Sequence, residues 1–210
     1  MLDELRRITS TDPYKSSGGM RVKKILITPW NSPDSKFEFD IWTDDIEGQT
    51  PETWEVICTD LIQTDGIPLA IIPRTRLELF DNHPVLWHLD DEVFFTVTSK
   101  ADNIPALMGD LFIEHSKMCG NWVDFDWLYD SLPETLETLR ENQLSVPIKL
   151  KHTCFQVLEK YGVKYRVNTI QHNANSYQTL FFSNPDIWPN EKNFRQSYII
   201  AKTFSERRIT

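Results

Sequence analysis

The sequence predicts an α+β protein with a mainly antiparallel β first half, about residues 20–100, packed with an α/β second half, about residues 101–210. Before residue 100, apolar and polar residues alternate in short runs, which is typical of half-buried strands. After residue 100, apolar residues recur with helical spacing and helical segments alternate with extended ones. Because no Gly/Ser/Pro-rich linker divides the halves, residues 20–210 are expected to form a single globular domain.

The first half is predicted to begin after a mobile segment. Residues 1–19 join a short amphipathic stretch to a Thr/Ser/Pro/Gly-rich one, a composition that buries little apolar area. The alternating runs that follow predict strands, and turn signals such as Asp65-Gly66 separate them. These strands lie at about 22–28, 37–41, 54–58, 69–72, 76–80 and 92–98.

The second half contains the clearest helix, which is predicted to start after Asp102 or Asn103 and to stop at Gly120. Its expected buried stripe consists of Ile104, Leu107, Met108, Leu111, Phe112 and Met118. The remaining predicted elements are helices at about 131–139 and 153–161, strands at 145–150, 163–170 and 177–183, and a closing helix from Asn190 to about Arg207.

The net charge is −9, from 22 Lys and Arg against 31 Asp and Glu, and it argues against a role in binding nucleic acid or anionic membranes. The charge is unevenly distributed: residues 1–33 carry +3, residues 34–134 carry −17 and residues 135–210 carry +5. Two interpretations stay open. Either the basic ends fold back on the acidic block, or the block forms an acidic surface that attracts a basic protein partner.

The sequence also indicates a compartment. It shows no secretory signal and no apolar run long enough to cross a bilayer. Its three cysteines are an odd number without CxxC spacing, which favours reduced thiols. We therefore expect a cytoplasmic protein, and we predict no cofactor.

No common catalytic or nucleotide-binding signature is present, so the first hypothesis is a non-catalytic interaction module. Its acidic surface would bind a basic protein partner, as inhibitors and immunity proteins bind toxic nucleases; this analogy is one of charge alone. The expected partner-binding residues form an aromatic and acidic segment: Trp122, Asp124, Phe125, Asp126, Trp127 and Asp130. The competing interpretation is that the aromatic rings fill the core and only the aspartates face water.

The first alternative is a metal-assisted hydrolase with a divalent ion. Imidazoles and carboxylates cluster between residues 81 and 92, and a further histidine lies on the predicted helix. The candidate ligands are His83, His88, Asp90, Asp91 and His115.

Three weaker hypotheses remain. A small molecule would bind in a cavity of the β half, lined by Trp30, Trp42, Trp54 and Trp87. A homodimer would pair the acidic region of one copy with the basic region of another. Nucleic-acid binding would use Lys149, Lys151, Lys164 and Arg166, against the adjacent acidic block.

Overall fold

The computed structural model describes residues 2–28, 34–44, 47–67, 69–139, 142–174, 176–183 and 196–210. Its α-helices are α1 (Asp3–Ile8), α2 (Asp12–Ser17), α3 (Ile104–Cys119), α4 (Phe125–Tyr129), α5 (Leu132–Thr138) and α6 (Lys151–Lys160). Short 3₁₀ helices lie at Pro84–Leu89 and Ile148–Leu150. Within these ranges, no helix has both the length and the apolar character that a membrane crossing requires.

The strands are β1 (Gly19–Leu26), β2 (Asp34–Trp42), β3 (Glu52–Asp65), β4 (Ile72–Pro73), β5 (Arg76–Phe80), β6 (Glu92–Val97), β7 (Leu144–Pro147), β8 (Tyr165–Gln171), β9 (Gln178–Ser183) and β10 (Ser197–Arg208). They form a seven-stranded sheet in the order β4-β1-β2-β3-β10-β9-β5 and a three-stranded sheet in the order β7-β6-β8. Every strand pairing among the described residues is antiparallel. The mixture of helices and antiparallel sheets confirms the α+β class.

The chain divides into two compact units: the first runs up to Asp81 and resumes at Tyr177, and the second is Asn82–Ser176. The predicted boundary near residue 100 differs from this division, because β6 belongs to the second unit whereas β9 and β10 belong to the sheet of the first. These two strands pair with β5 and β3, about a hundred or more residues earlier in the chain. Local periodicity carries no information about such pairing.

The two edge strands of the sheet in the first unit are held near one another by a short link. These strands, β4 and β5, are consecutive in the chain and are joined only by Arg74 and Thr75. Because each residue spans at most about 3.6 Å, so short a link holds the edges together. The core of this unit contains Val22, Phe37, Phe39, Ile41, Val56, Leu180, Phe182 and Ile199.

The N-terminal segment, which the sequence predicts to be mobile, contains helices α1 and α2 and packs on the sheet of the first unit. Leu2, Leu5 and Tyr14 are fully buried in the core of the sheet, and the Tyr14 hydroxyl donates to the carbonyl of Thr75 at 2.6 Å. The carboxylate of Glu206 on β10 accepts from the first-turn amides of α1, Glu4 N at 2.8 Å and Leu5 N at 2.9 Å. The composition of the segment does not reveal this burial, because the apolar residues that cover these side chains come from strands far away in the sequence.

Residues 197–208 form strand β10, so the prediction of a closing helix there is wrong. The expected helix cap, Asn190, lies outside the described residues. The stripe Tyr198, Ala201 and Phe204 fits helical spacing. However, positions 198–201 are buried consecutively, because the strand is covered on both faces there. Without a clean alternation, the pattern did not distinguish a strand from a helix.

Cross-strand ion pairs compensate much of the charge of the first unit. Arg21 lies opposite Asp40 in the sheet, at 2.6 Å, and Arg207 lies opposite Glu55, at 2.8 Å. Lys36 also contacts Glu55, at 3.6 Å. The basic ends of the sequence therefore do pair with acidic strands in this unit, as the first interpretation of the charge pattern expects.

In the second unit, helix α3 forms as predicted. The side chain of Asn103 accepts from the amide of Ala106 at 3.1 Å, and Gly120 ends the helix with φ of 56°. Asp110 links α3 to α6 by accepting from Lys160 and from the Tyr161 hydroxyl. The core of this unit includes Val93, Phe95, Leu107, Leu111, Leu136 and Leu158.

We expect Glu206→Ala to release helix α1, because two first-turn amides lose their acceptor. The free energy of unfolding should fall by about 1 kcal/mol, a typical effect of losing a helix cap. Urea unfolding and the rate of tryptic cleavage after Arg6 and Arg7 measure the two effects. Asp3→Asn is the control, since it removes a charge from the same helix end without removing an amide acceptor. Equal cleavage rates in Glu206→Ala and wild type would contradict the role of Glu206.

Candidate protein-interaction surface

Helix α4 carries most of the predicted partner-binding segment, which we call the aromatic–acidic patch (Trp122, Asp124, Phe125, Asp126, Trp127 and Asp130). Asp124 starts the helix. Its carboxylate accepts from the amide of Asp126 at 2.9 Å and from that of Trp127 at 3.4 Å. A side-chain cap of this kind satisfies first-turn amides that have no partner within a helix.

The periodicity of α4 separates its inner and outer faces. Phe125 and Tyr129, four residues apart, face the core together. Because each residue turns the helix by about 100°, Asp126, Trp127 and Asp130 point away from it. The Trp127 side chain is 60% exposed, and both aspartates are exposed. Buried Tyr129 and half-buried Phe125 therefore pack on the core, while Trp127 and the aspartates face solvent.

The inner face of α4 packs on His115 of α3. The His115 ring lies 5.4 Å from the Phe125 ring and 5.8 Å from the Tyr129 ring, measured between centroids. Its Nε2 donates to the carbonyl of Val123 at 2.8 Å, which ties the residue before the cap to α3. Burial lowers the pKa of His115, so the ring is neutral at pH 7.

The 3₁₀ helix Pro84–Leu89 flanks the patch on its other side. His83 lies edge-on to Trp122, with 4.9 Å between ring centroids, and its Nδ1 accepts from the amide of Val85 at 3.2 Å. His88 lies edge-on to Trp127 at 6.4 Å. Burial lowers the pKa of both histidines, that of His83 to about 4. These rings pack against the tryptophans as neutral groups.

The candidate metal ligands do not form a ligand set. His115 and His83 use ring nitrogens on backbone groups, as described above. Asp91 accepts from the His172 ring at 2.7 Å and from the amide of Asn173 at 2.8 Å, and these bonds lower its pKa. Burial raises the pKa of Asp90. Among the residues that the structure describes, no three His, Cys, Asp or Glu side chains are placed to hold a metal ion.

The tryptophan-lined cavity is not supported either. Trp54 is part of the core of the first unit, and Trp42 is buried with the Arg21 guanidinium 5.5 Å from its ring. Trp87 belongs to the second unit, in a small cluster with Cys119, Val123 and Leu150. Trp30 lies outside the described residues.

Two features of the second unit were missed from the sequence. Phe112, which was assigned to the buried stripe of α3, is 53% exposed, and its neighbour Ile113 is 50% exposed. Ile113, an apolar residue outside the predicted stripe, is the sequence signal that indicates an exposed apolar face on α3. The pairing of His172 with Asp91 has no sequence signal, since the two residues are 81 positions apart.

The aromatic–acidic patch lies in a stretch of sequence that contains acidic residues and no basic ones. Residues 118–139 contain five acidic residues and no Lys, Arg or His. Within the described part of the chain, no ion pair involves Asp126 or Asp130. Asp126 and Asp130 are exposed, and the second interpretation of the charge pattern, an acidic surface that attracts a basic partner, stays a prediction.

No protein-family model, curated protein or solved structure matches the chain. The geometry of the second unit is therefore the basis for the function proposed below.

We expect the protein to lose stability as the pH falls from about 6.5 towards 4. His83, His88 and His115 have lowered pKa values in the fold, but they take up protons with an ordinary pKa of about 6.5 once unfolded. Protonation therefore favours the unfolded chain below pH 6.5, whereas this contribution is constant above it. Urea unfolding across this range measures the decline.

His83→Asn should make the decline shallower, because asparagine keeps an acceptor for the Val85 amide but does not titrate. His152→Asn is the control, since this residue is exposed on α6. Identical declines for wild type and His83→Asn would contradict the assignment.

Proposed function

We propose that this protein is a non-catalytic interaction module that binds a basic protein partner through the aromatic–acidic patch. The observation that carries this proposal is the outer face of α4, where an exposed Trp127 lies beside Asp126 and Asp130. An indole and two carboxylates on one rigid face match the chemistry of Lys and Arg side chains. The cation lies over the ring while its N–H groups reach the carboxylates.

The energetics of α4 support a bound cation. Asp126 and Asp130 are four residues apart on one helical face, a spacing at which like charges destabilise a helix by about 0.2–0.5 kcal/mol. No nearby base in the sequence relieves this repulsion, since the closest Lys or Arg before and after the stretch are Lys117 and Arg140. A basic partner would remove the penalty on binding.

The composition of the patch also suits a protein ligand. Tryptophan is enriched among the residues that dominate binding energy, and it loses little conformational entropy on binding. Acidic groups around it would speed association with a basic partner in a salt-dependent way. The same charges oppose a homodimer formed through this patch, because two copies would bring carboxylates together.

A cytoplasmic location is part of the proposal. Cys58, Cys119 and Cys154 are all buried and form no disulfide, as expected where thiols stay reduced. Burial raises the pKa of the Cys154 thiol to about 12, which removes its nucleophilic form at pH 7. This supports a structural role for the thiol in a non-catalytic protein.

We expect Trp127→Ala to weaken binding of the partner at least about 30-fold, the effect of losing an interface residue worth about 2 kcal/mol. The double variant Asp126→Asn with Asp130→Asn should weaken binding more at low salt than at high salt, because salt screens the charges that it removes. The partner is captured from the native host on the immobilised wild-type protein, identified, purified and titrated by calorimetry at two salt concentrations.

The control is Asp12→Asn with Asp81→Asn, which changes the net charge equally at exposed positions of the first unit. It should bind as tightly as wild type, and all variants should unfold at the wild-type urea concentration or above. A captured partner that is acidic, or one that binds Trp127→Ala as tightly as wild type, would overturn the proposal.

A further inference from the structure

Helix α3 presents an apolar face to solvent next to the patch. Pro105, Gly109, Phe112 and Ile113 are all exposed, and they follow one side of the helix with spacings of three and four residues. We call them the outer face of α3. A surface helix normally places polar residues on this side. Here the charged residues of α3 lie on its flanks, with Asp110 bound to Lys160 and Glu114 to Lys117.

The outer face of α3 is continuous with the aromatic–acidic patch. The rings of Phe112 and Phe125 are in edge-to-face contact, with 5.3 Å between their centroids. Phe125 in turn starts α4, whose outer side carries Asp126 and Asp130. An apolar strip with acidic groups along one side therefore extends over both helices.

We propose that this strip binds an amphipathic, basic α-helix of the partner; the inference rests on the function proposed above. A helix supplies apolar side chains at spacings of three and four residues, the same spacing as the outer face of α3. From Pro105 to Ile113, the face extends over eight residues, or about 12 Å of helix. Lysine or arginine side chains on one flank of the bound helix reach Asp126 and Asp130.

Gly109 is the position at which a bound helix would approach α3 most closely. A Cβ atom built at this glycine meets nothing within 4 Å, so the space above it is open to a ligand. Phe112 and Ile113 lie on either side of the line that runs through it, and we infer a shallow groove between them because glycine has no side chain. A symmetric dimer formed through this groove is disfavoured, because each copy would bring its acidic α4 against that of the other.

The glycine also gives a test that does not endanger folding. Gly109→Ala should raise the melting temperature, since alanine favours a helix and clashes with no other residue. Gly109→Leu fills the groove without disturbing the core. Gln156→Leu, at an exposed position of α6, is the matched control for an added surface leucine.

The probes are three fluorescent synthetic peptides of equal length, measured by anisotropy with the full chain. The first contains Leu and Lys in an order that forms an amphipathic helix, the second has the same residues in alternating order, and the third replaces every Lys of the first by Glu. We expect the first to bind at least about tenfold more tightly than the other two, the discrimination that one well-placed apolar anchor supplies. Gly109→Leu should abolish that preference, and Gln156→Leu should retain it.

The outcomes separate the two proposals. Equal binding of the helical and alternating Lys peptides, or an unchanged preference in Gly109→Leu, would overturn the helix inference. If Asp126→Asn with Asp130→Asn still weakens the binding of both Lys peptides, that result supports the basic partner of the proposed function even when the helix inference fails. Tight binding of the Glu peptide, or no binding of either Lys peptide, contradicts a basic helix as the occupant. Capture of a host partner then tests the proposed function by itself.

Discussion

The contact of Phe125 and Tyr129 with His115 determines which side chains of α4 face solvent. A five-residue helix has too few backbone hydrogen bonds to hold its orientation alone, so side-chain packing sets it. Once these two rings pack on the core, the helical turn directs Trp127 and the aspartates towards solvent. The packing also requires His115 to be neutral. A charged imidazole buried against the two aromatic rings would destabilise the contact that orients the helix.

The acidic block of the sequence is divided by the fold. Residues 34–81 carry −9 and lie in the first unit, where strands from both ends of the chain bring arginines opposite the acidic positions. Residues 82–134 carry −8 and lie in the second unit, which has a net charge of −5. One block of sequence thus serves two physical purposes: cross-strand pairing in the first unit and an exposed charge in the second.

Local signals predicted the elements that local physics controls. Helix α3 has an asparagine cap, a helical stripe and a left-handed glycine at Gly120, and all three act within a few residues. The aromatic and acidic character of α4 was likewise readable, although which rings point outward depends on the packing of His115, a contact with another helix. Strand β10, the burial of Leu5 and the bond between Asp91 and His172 depend on residues far away in the chain. No local pattern contains them.

The second unit is inserted between two paired strands of the first, since β5 precedes it and β9 follows it. While Asn82–Ser176 is unfolded, pairing these strands closes a loop of about a hundred residues. When that unit is folded with its ends close, the effective loop is only a few residues long. Because the entropic cost of closure grows with the logarithm of loop length, this lowers it by about 2–3 kcal/mol. We therefore expect folding of the inserted unit to favour the pairing of β5 with β9, the two strands on either side of it in the sequence.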